Sequence, residues 1–487
     1  MNDQSHEDLE QRLDRAEQAA RALEPDADAR ASVHDKVLGY SEDFLNTVNA
    51  LPAYLTNAGS GEGLLDQPFG ETGIGIDAAI RIIKDNVDTP GLNPASGGHL
   101  GYIPGGGIYY SALGDYLADV FNKYAGVFYA SPGAVRMENM LIRWMCDLVG
   151  YPPESHGNLT TSGSLANMIA IVVARDGKNI RSADIPRSVI YLSKQTHHSI
   201  DKAIRVAGLG ECIVRHVPLD NRFKMISSEL AAVIEADKTA GLNPFLVVAS
   251  AGTTDVGAID PLVDIGAVAK QHGLWYHIDA AYGGFFILTE EGRTKLQGLD
   301  LADSLIIDPH KGLFLPYGLG VVLVKNVEDL KRSFRFNASY MQDAFAAPDE
   351  LSPAELSPEL TKHFRGLRLW LPLMLHGLAP FRACLEEKLL LARYFYNKVQ
   401  KLGFESKVDP ELSVVTYRWL PSSGDANTFN KRLLDAIVGD GRIFVSSTML
   451  DGDFTLRFAC LAFRTHRSTV DTLLQVSTEN VRSLESE

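Results

Sequence analysis

LWYHIDAAYGG (residues 274–284) and SLIIDPHKG (residues 304–312) are two short apolar runs, each ending on a polar residue and a turn. Both are rich in β-branched or aromatic residues, bounded by glycine or proline, and too short for helices, so both read as buried strands. Three more runs share the pattern: Ser188–Leu192, Phe245–Ala249 and Gly320–Val324. Helix-like stretches such as Ser228–Ala240 and Pro261–His272 lie between them. This alternation is expected to build an α/β fold around a mostly parallel central sheet. Ligands of such sheets sit beyond the carboxyl ends of the strands, where Thr254, Asp279 and Lys311 fall.

Outward from this core the pattern changes at both ends. Residues 8–23 read as a charged helix with a thin apolar stripe of Leu9, Leu13 and Leu23, too narrow to form a core alone. A glycine-rich connector follows, from Gly59 to Gly107. Beyond the loop Ala346–Pro358, Leu367–Leu378 and Phe381–Leu402 read as long helices. Val414–Trp419, Ile443–Ser447 and Phe454–Cys460 read as strands, and a last helix starts near Ser468. Three parts are therefore expected: an N-terminal helical and loop segment (1–107), a large α/β domain (108–371) and a small C-terminal α+β domain (372–487).

At 487 residues, 45% hydrophobic and 22% charged, the composition is that of a globular protein. A net charge of −15 argues against nucleic acid or an anionic membrane as partner. Cys146, Cys212, Cys384 and Cys460 form no CxxC pair, which suits a reducing cytoplasm and neither zinc nor a disulfide framework. The charged N-terminus is no secretory signal, and no apolar run is long enough to span a membrane. Gly105-Gly-Gly107 lacks a following GK[ST], no G-x-S-x-G is present, and the histidines lack metal-ligand spacing, so no metal is expected.

An acid ending one strand and a lysine just past the next suit an enzyme that holds pyridoxal 5'-phosphate (PLP). The lysine amine forms a Schiff base, and the acid keeps the pyridine nitrogen protonated so that the ring accepts electrons. Taken singly, Asp279 reads as a helix cap and Lys311 as a surface charge; the shared frame of Pro309, His310, Ala280 and Ala281 makes the pair specific. Thr160-Thr161-Ser162-Gly163-Ser164 leads into a helical run, as a phosphate cradle does. Plain N-capping by Ser162 or Ser164 is the bland alternative, and the presence of Lys311 favours the cradle. Of His197 and His198, one suits a ring-stacking or carboxylate-orienting role, and the other is a polar helix start. Thr253 and Thr254 follow a buried strand on the ligand side.

With these residues in place, the chain resembles the group II PLP-dependent amino-acid decarboxylases, which include the aromatic-L-amino-acid, histidine and glutamate decarboxylases. The likeness rests on Gly98-His-Leu-Gly-Tyr102-Ile-Pro104, Ala130-Ser-Pro132 with Glu138, Thr161–Asn167, Gln195-Thr-His197, Gly252-Thr-Thr254, His277–Gly283 and Ser304–Lys311. Phe364-Arg-Gly-Leu-Arg-Leu-Trp370 and Phe463-Arg-Thr-His466 extend it. The resemblance implies a fold-type-I homodimer with active sites at the interface and N-terminal helices packed across the two subunits. It implies Lys311 as the Schiff-base lysine, Asp279 beside the pyridine nitrogen, His197 stacked on the ring and Ala281 against its other face. Ser162, Gly163, Ser164, Ser304 and His310 would hold cofactor and phosphate, Thr254 would lie near the ring, and Tyr102, Pro104 and Phe128 would line the substrate pocket.

Two residues depart from the family pattern. Asp308 stands where the family often has asparagine, and the loop Gln342–His363 has no tyrosine where many members carry the one that protonates the substrate carbon. Either Tyr340, just upstream, or a histidine takes that proton transfer, or the outcome differs. Related enzymes with phenylalanine in this loop couple decarboxylation to oxidative deamination and give aldehydes. The expected reaction is decarboxylation of an L-amino acid to the amine and CO2, aromatic substrates first and acidic ones second. The acidic alternative needs an arginine in the pocket, and none is placed by sequence. An aminotransferase, an aldehyde-forming enzyme and a non-catalytic PLP-fold subunit are the rivals.

Overall fold

The computed structural model describes residues 3–55, 59–335 and 350–486. It divides into two compact units, Met1–Asn93 and Pro94–Glu487. The first holds α1 (Asp3–Ala20), α2 (Ala27–Thr47), α3 (Ile76–Ile83) and a short ladder of β1 (Tyr54–Leu55) against β2 (Gly91–Leu92). Asp26 caps α2 by accepting from the Ala29 amide at 2.8 Å. No side chain of α2 is buried. With no apolar stripe, periodicity has nothing to report, and α2 lies between the charged helix of residues 8–23 and the glycine-rich connector, where no element was expected.

The second unit begins with α4 (Tyr109–Phe121) and α5 (Pro132–Leu148), then enters the large sheet through β3 (His156–Thr160) and α6 (Gly163–Gly177). β4 (Ser188–Leu192), α7 (Ser199–Val206), β5 (Ile213–His216), α8 (Ser227–Thr239), β6 (Asn243–Ser250), α9 (Leu262–His272) and β7 (Trp275–Asp279) continue the alternation. After α10 (Glu290–Lys295) come β8 (Ser304–Ile307), the short turn α11 (Pro309–Gly312), β9 (Gly320–Val324) and α12 (Val327–Phe334). The strand order is β3-β9-β8-β7-β6-β4-β5. Only β9 runs against its neighbours, so the sheet is mostly parallel and β3 points the same way as β8.

The five strands read from sequence lie within a residue or two of these bounds because each is an unbroken apolar run buried on both faces. β3 (HGNLT) and β5 (IVRH) carry polar residues and glycine, and give no such run. One core packs on each face of the sheet, with Phe285, Phe286 and Leu313 on one side and Ile169, Ala170 and Val173 of α6 on the other.

The chain then builds α13 (Gly366–His376), α14 (Ala379–Lys401), β10 (Val414–Tyr417), α15 (Ala426–Asp440), β11 (Ser446–Leu450), β12 (Asp453–Ala459) and α16 (Arg467–Glu485). The three strands form an antiparallel sheet in the order β10-β12-β11. Its Phe395, Tyr417 and Phe458 stack into a separate core. Gly98–Tyr102 pairs with this part of the chain: the Leu100 amide donates to the Phe444 carbonyl at 2.8 Å, and the Ala459 amide donates to the Leu100 carbonyl at 2.7 Å.

Candidate active site

All the parallel strands and β3 send their carboxyl ends to one edge of the sheet, and a cavity of about 270 Å³ opens there. Ser162, Gly163 and Ser164 enter it from the turn between β3 and α6, His197 from beyond β4, and Thr254 from beyond β6. Asp279, Ala281, His310 and Lys311 come from the ends of β7 and β8, and Tyr102 from the Gly98–Tyr102 segment. Residues scattered over more than two hundred positions thus meet because right-handed parallel crossovers put every loop of this kind on the same edge. Pro104, Phe128 and Ser304 do not line the cavity, and Tyr340 lies outside the described residues.

Asp279 is the last residue of β7 and is buried. Its Oδ1 accepts from the Ala281 amide at 3.1 Å and its Oδ2 from Asn167 Nδ2 at 3.0 Å. The same Asn167 Nδ2 donates to Ser199 Oγ at 2.9 Å. Both Asn167 amide hydrogens are therefore used, and its Oδ1 must accept from His277 Nε2, at 2.9 Å. His277 Nδ1 then accepts from Ser304 Oγ at 2.9 Å, while Ser304 Oγ accepts from Trp275 Nε1 at 2.9 Å. Ser304 is thus turned into the sheet, beneath Asp279, with its hydroxyl fully used. Burial pushes the His277 imidazole down to about 4, which keeps it neutral as this chain of bonds requires.

His197 is oriented from the same network. The Ser199 amide donates to His197 Nδ1 at 3.2 Å, and Ser199 Oγ lies 2.7 Å from that nitrogen. Because Asn167 already donates to Ser199 Oγ, the hydroxyl proton is free to point at His197. Nδ1 is an acceptor, so the proton of the neutral ring is on Nε2. Burial lowers the His197 pKa, with the Asp279 charge acting the other way.

The opposite end of the cavity is built around the start of α6. Ser162 caps the helix, its Oγ accepting from the Leu165 amide at 3.3 Å, so capping and cavity lining fall to one residue. A Cβ at Gly163 would sit 2.7 Å from Asp308 Oδ2, so only glycine fits between the helix start and that carboxylate. His310 Nδ1 donates to the Leu319 carbonyl at 2.5 Å, and burial lowers the pKa of its ring. Lys311 Nζ stands 3.1 Å from Asp308 Oδ2. Gly105-Gly-Gly107 packs against the chain just beyond Lys311, where a Cβ at Gly106 would lie 2.3 Å from Phe314 Cα. Close backbone packing explains that run.

Asn167, Ser199, Gln195 and Arg457 also belong to the site; Asn167 and Gln195 stand in stretches that carry the resemblance but were given no role, and Ser199 and Arg457 were not singled out. Arg457 projects from β12, more than two hundred residues from Thr254 in sequence. It donates from Nε to the Asp255 carbonyl at 2.9 Å, from Nη1 to Ser446 Oγ at 2.9 Å, and from Nη2 to the Thr254 carbonyl. It fixes the turn after β6 and is an arginine in the cavity wall.

Comparison with known proteins gives the family and the fold. The pyridoxal-dependent decarboxylase conserved domain matches residues 90–420. The chain is 34% identical to an aromatic-L-amino-acid decarboxylase of Bacillus atrophaeus, over 77% of this chain and 79% of that protein. It is 29% identical to a phenylacetaldehyde synthase of Arabidopsis thaliana, over 72% of this chain and 75% of that protein. The crystal structure of Oryza sativa TDC with PLP and tryptamine superposes with a TM-score of 0.89 at 24% identity, over 94% of this chain and 99% of that one, a likeness of fold.

Proposed function

Because the chain belongs to the pyridoxal-dependent decarboxylases, we propose that it removes the α-carboxylate of an aromatic L-amino acid as CO2 and releases the amine. The protein is a PLP-dependent carboxy-lyase of fold type I, and PLP supplies the electron sink that carbanion formation at Cα requires. The observation that carries the proposal is the meeting of Lys311, Asp279 and the Ser162–Ser164 turn in one cavity. That cavity fits the cofactor: a helix start faces it, Gly163 leaves room that a Cβ would fill, and Asp279 turns a buried carboxylate toward it.

In this reading Lys311 Nζ is the amine that holds the cofactor, and Asp279 holds the proton on the pyridine nitrogen. Ser162, Gly163, Ser164 and His310 take the phosphate end. His197 and Ala281 take the two sides of the ring, with Thr254 nearby, and the His197 Nε2 proton faces substrate. Ser304 acts from beneath by fixing His277. Tyr102 is the aromatic residue that reaches the cavity, and Pro104 and Phe128 belong to the wider substrate region. Tyr340 or His197 returns the proton to Cα.

Loading with PLP and screening the common amino acids for CO2 tests the proposal. An aromatic amino acid is expected to give CO2 and amine in equal amounts, and a Lys311→Ala protein is expected to keep less than about a thousandth of that rate. CO2 accompanied by aldehyde, ammonia and peroxide would replace the amine reading. The absence of tyrosine from Gln342–His363 and the likeness to a phenylacetaldehyde synthase favour that second outcome. Arg457 in the cavity wall is what an acidic substrate would use, and release of CO2 from glutamate or aspartate alone would establish it.

The same proposal includes a homodimer with shared active sites, a three-part division at residues 107 and 371, and a cytoplasmic location. Leu13 and Leu23, 64% and 87% exposed, support a second copy as the surface that covers residues 8–23. Four free cysteines support a reducing compartment. No helix among the described residues is long and apolar enough to cross a membrane.

A further inference from the structure

Asp308 is the most unusual group in the cavity. It is 1% exposed, it lines the cavity at the helix start, and neither carboxylate oxygen receives a hydrogen bond. A buried carboxylate held only by an ion pair to Lys311 keeps lone pairs that no hydrogen-bond donor satisfies. The charged and titratable groups facing it are Lys311, with Nζ at 3.1 Å, and His310, with Nε2 at 3.8 Å from Oδ2. His197 feels its charge from beyond β4, Arg368 acts on His310 from its other side, and Gly163 at the start of α6 carries no charge. One lysine therefore faces Asp308 at the end of the cavity that takes the phosphate.

A phosphate monoester brings a charge of about −1.5 to −2 at neutral pH, with its second pKa near ~6. Placed beside an ionised Asp308 it would leave two anions against one ammonium in contact, next to a carboxylate buried from solvent. His310 does not correct the balance as it stands. Its Nδ1 hydrogen is committed to the Leu319 carbonyl, so a neutral ring offers phosphate a lone pair on Nε2 and no donor.

We propose that Asp308 makes binding of the cofactor phosphate proton-linked: one proton is taken up by the Asp308, His310 and phosphate cluster when the ligand enters. The proton belongs to the cluster as a whole. Carried on Asp308, it turns an acceptor into a donor to phosphate; carried on His310, it supplies a donor and a balancing charge. In either form Asp308 is the cause of the uptake, and an asparagine at 308 removes the need for it. The inference rests on the assignment of PLP to this cavity.

The test uses the apo full-length protein and pyridoxamine 5'-phosphate, which carries the phosphate and ring but no aldehyde to react with Lys311. Binding is followed by calorimetry from pH 6.5 to 8.5 in two buffers of different ionisation enthalpy. Wild type is expected to take up close to one proton per ligand above pH ~6.5, its Kd rising about tenfold per pH unit. Asp308→Asn is expected to lose that slope and to bind more tightly than wild type at pH 8.5. Wild-type binding without proton uptake would overturn the proposal even if the variant fails to fold. A full slope retained in Asp308→Asn would overturn it too, by assigning the proton to His310 alone. No binding of pyridoxamine 5'-phosphate at any pH would instead count against the cofactor assignment.

Discussion

The two ends of the cavity are built on opposite principles. Beneath Asp279 every polar group is used: Asn167, Ser199, His277, Ser304 and Trp275 exchange hydrogen bonds in a closed network, and each proton in it is assigned by its neighbours. At Asp308 a more deeply buried carboxylate has an ion pair with Lys311 and no hydrogen bond. The first end is preorganised, its groups already held where charge on a ring nitrogen would be stabilised without further rearrangement. The second is arranged for a guest, and its electrostatics are completed only by what binds there.

The contrast is most directly attacked at Asp279. Asp279→Ala is expected to lower kcat on the order of a hundredfold, about 3 kcal/mol of transition-state stabilisation, in a single-turnover measurement on cofactor-loaded protein. A loss under threefold would mean that the preorganised end does not serve the ring. Next in size is the network that holds the aspartate. Asn167→Ala leaves Asp279 Oδ2, Ser199 Oγ and His277 Nε2 each short of a partner, and is expected to cost roughly 1–3 kcal/mol in urea unfolding with a fall of about tenfold in kcat. Equal stability to wild type would show that the bonds exchange freely with water and that the end is not preorganised.

The remaining effect is read in acid. His277 is held near 4 by burial against an ordinary value of 6.5, so below about 6.5 the unfolded chain binds a proton that the native protein refuses. Stability from this residue is full above that value and is lost as pH falls toward 4, by about 3 kcal/mol in all. His277→Gln lacks the titration. The stability gap between wild type and variant is therefore expected to narrow from pH 7 to pH 4.5, and a constant gap across that range would contradict a neutral, network-bound His277.

The parts of this site that were legible in the sequence are those whose partners are local. Asp279, Lys311 and Ser162–Ser164 each sit at a strand end with their diagnostic neighbours beside them, so a short window identifies them. The role of the preorganised layer was not legible, because Asn167 lies 112 residues from Asp279 and 110 from His277, and the stretch Thr161–Asn167 does not show which partners it meets. Arg457 was hidden for the same reason, reaching the cavity from the small sheet. In the fold, β3 and β5 escaped notice because their polar residues break the apolar run, and α2 because it buries no side chain. Asp308 is the intermediate case: its identity was visible as a departure from the family pattern, whereas its lack of any hydrogen bond required the structure.

The single reversed strand also constrains the order in which the protein is made. β3 pairs with β9 alone, from His156–Val324 to Thr160–Gly320, and the Ser162–Ser164 turn hangs from the end of β3. While the chain leaves the ribosome, residues 156–164 must wait for some hundred and sixty later residues before they have a ladder to join. The Ser162–Ser164 end of the cavity is thus among the last parts of the large sheet to close, and a nascent chain shorter than residue 324 presents an exposed edge there.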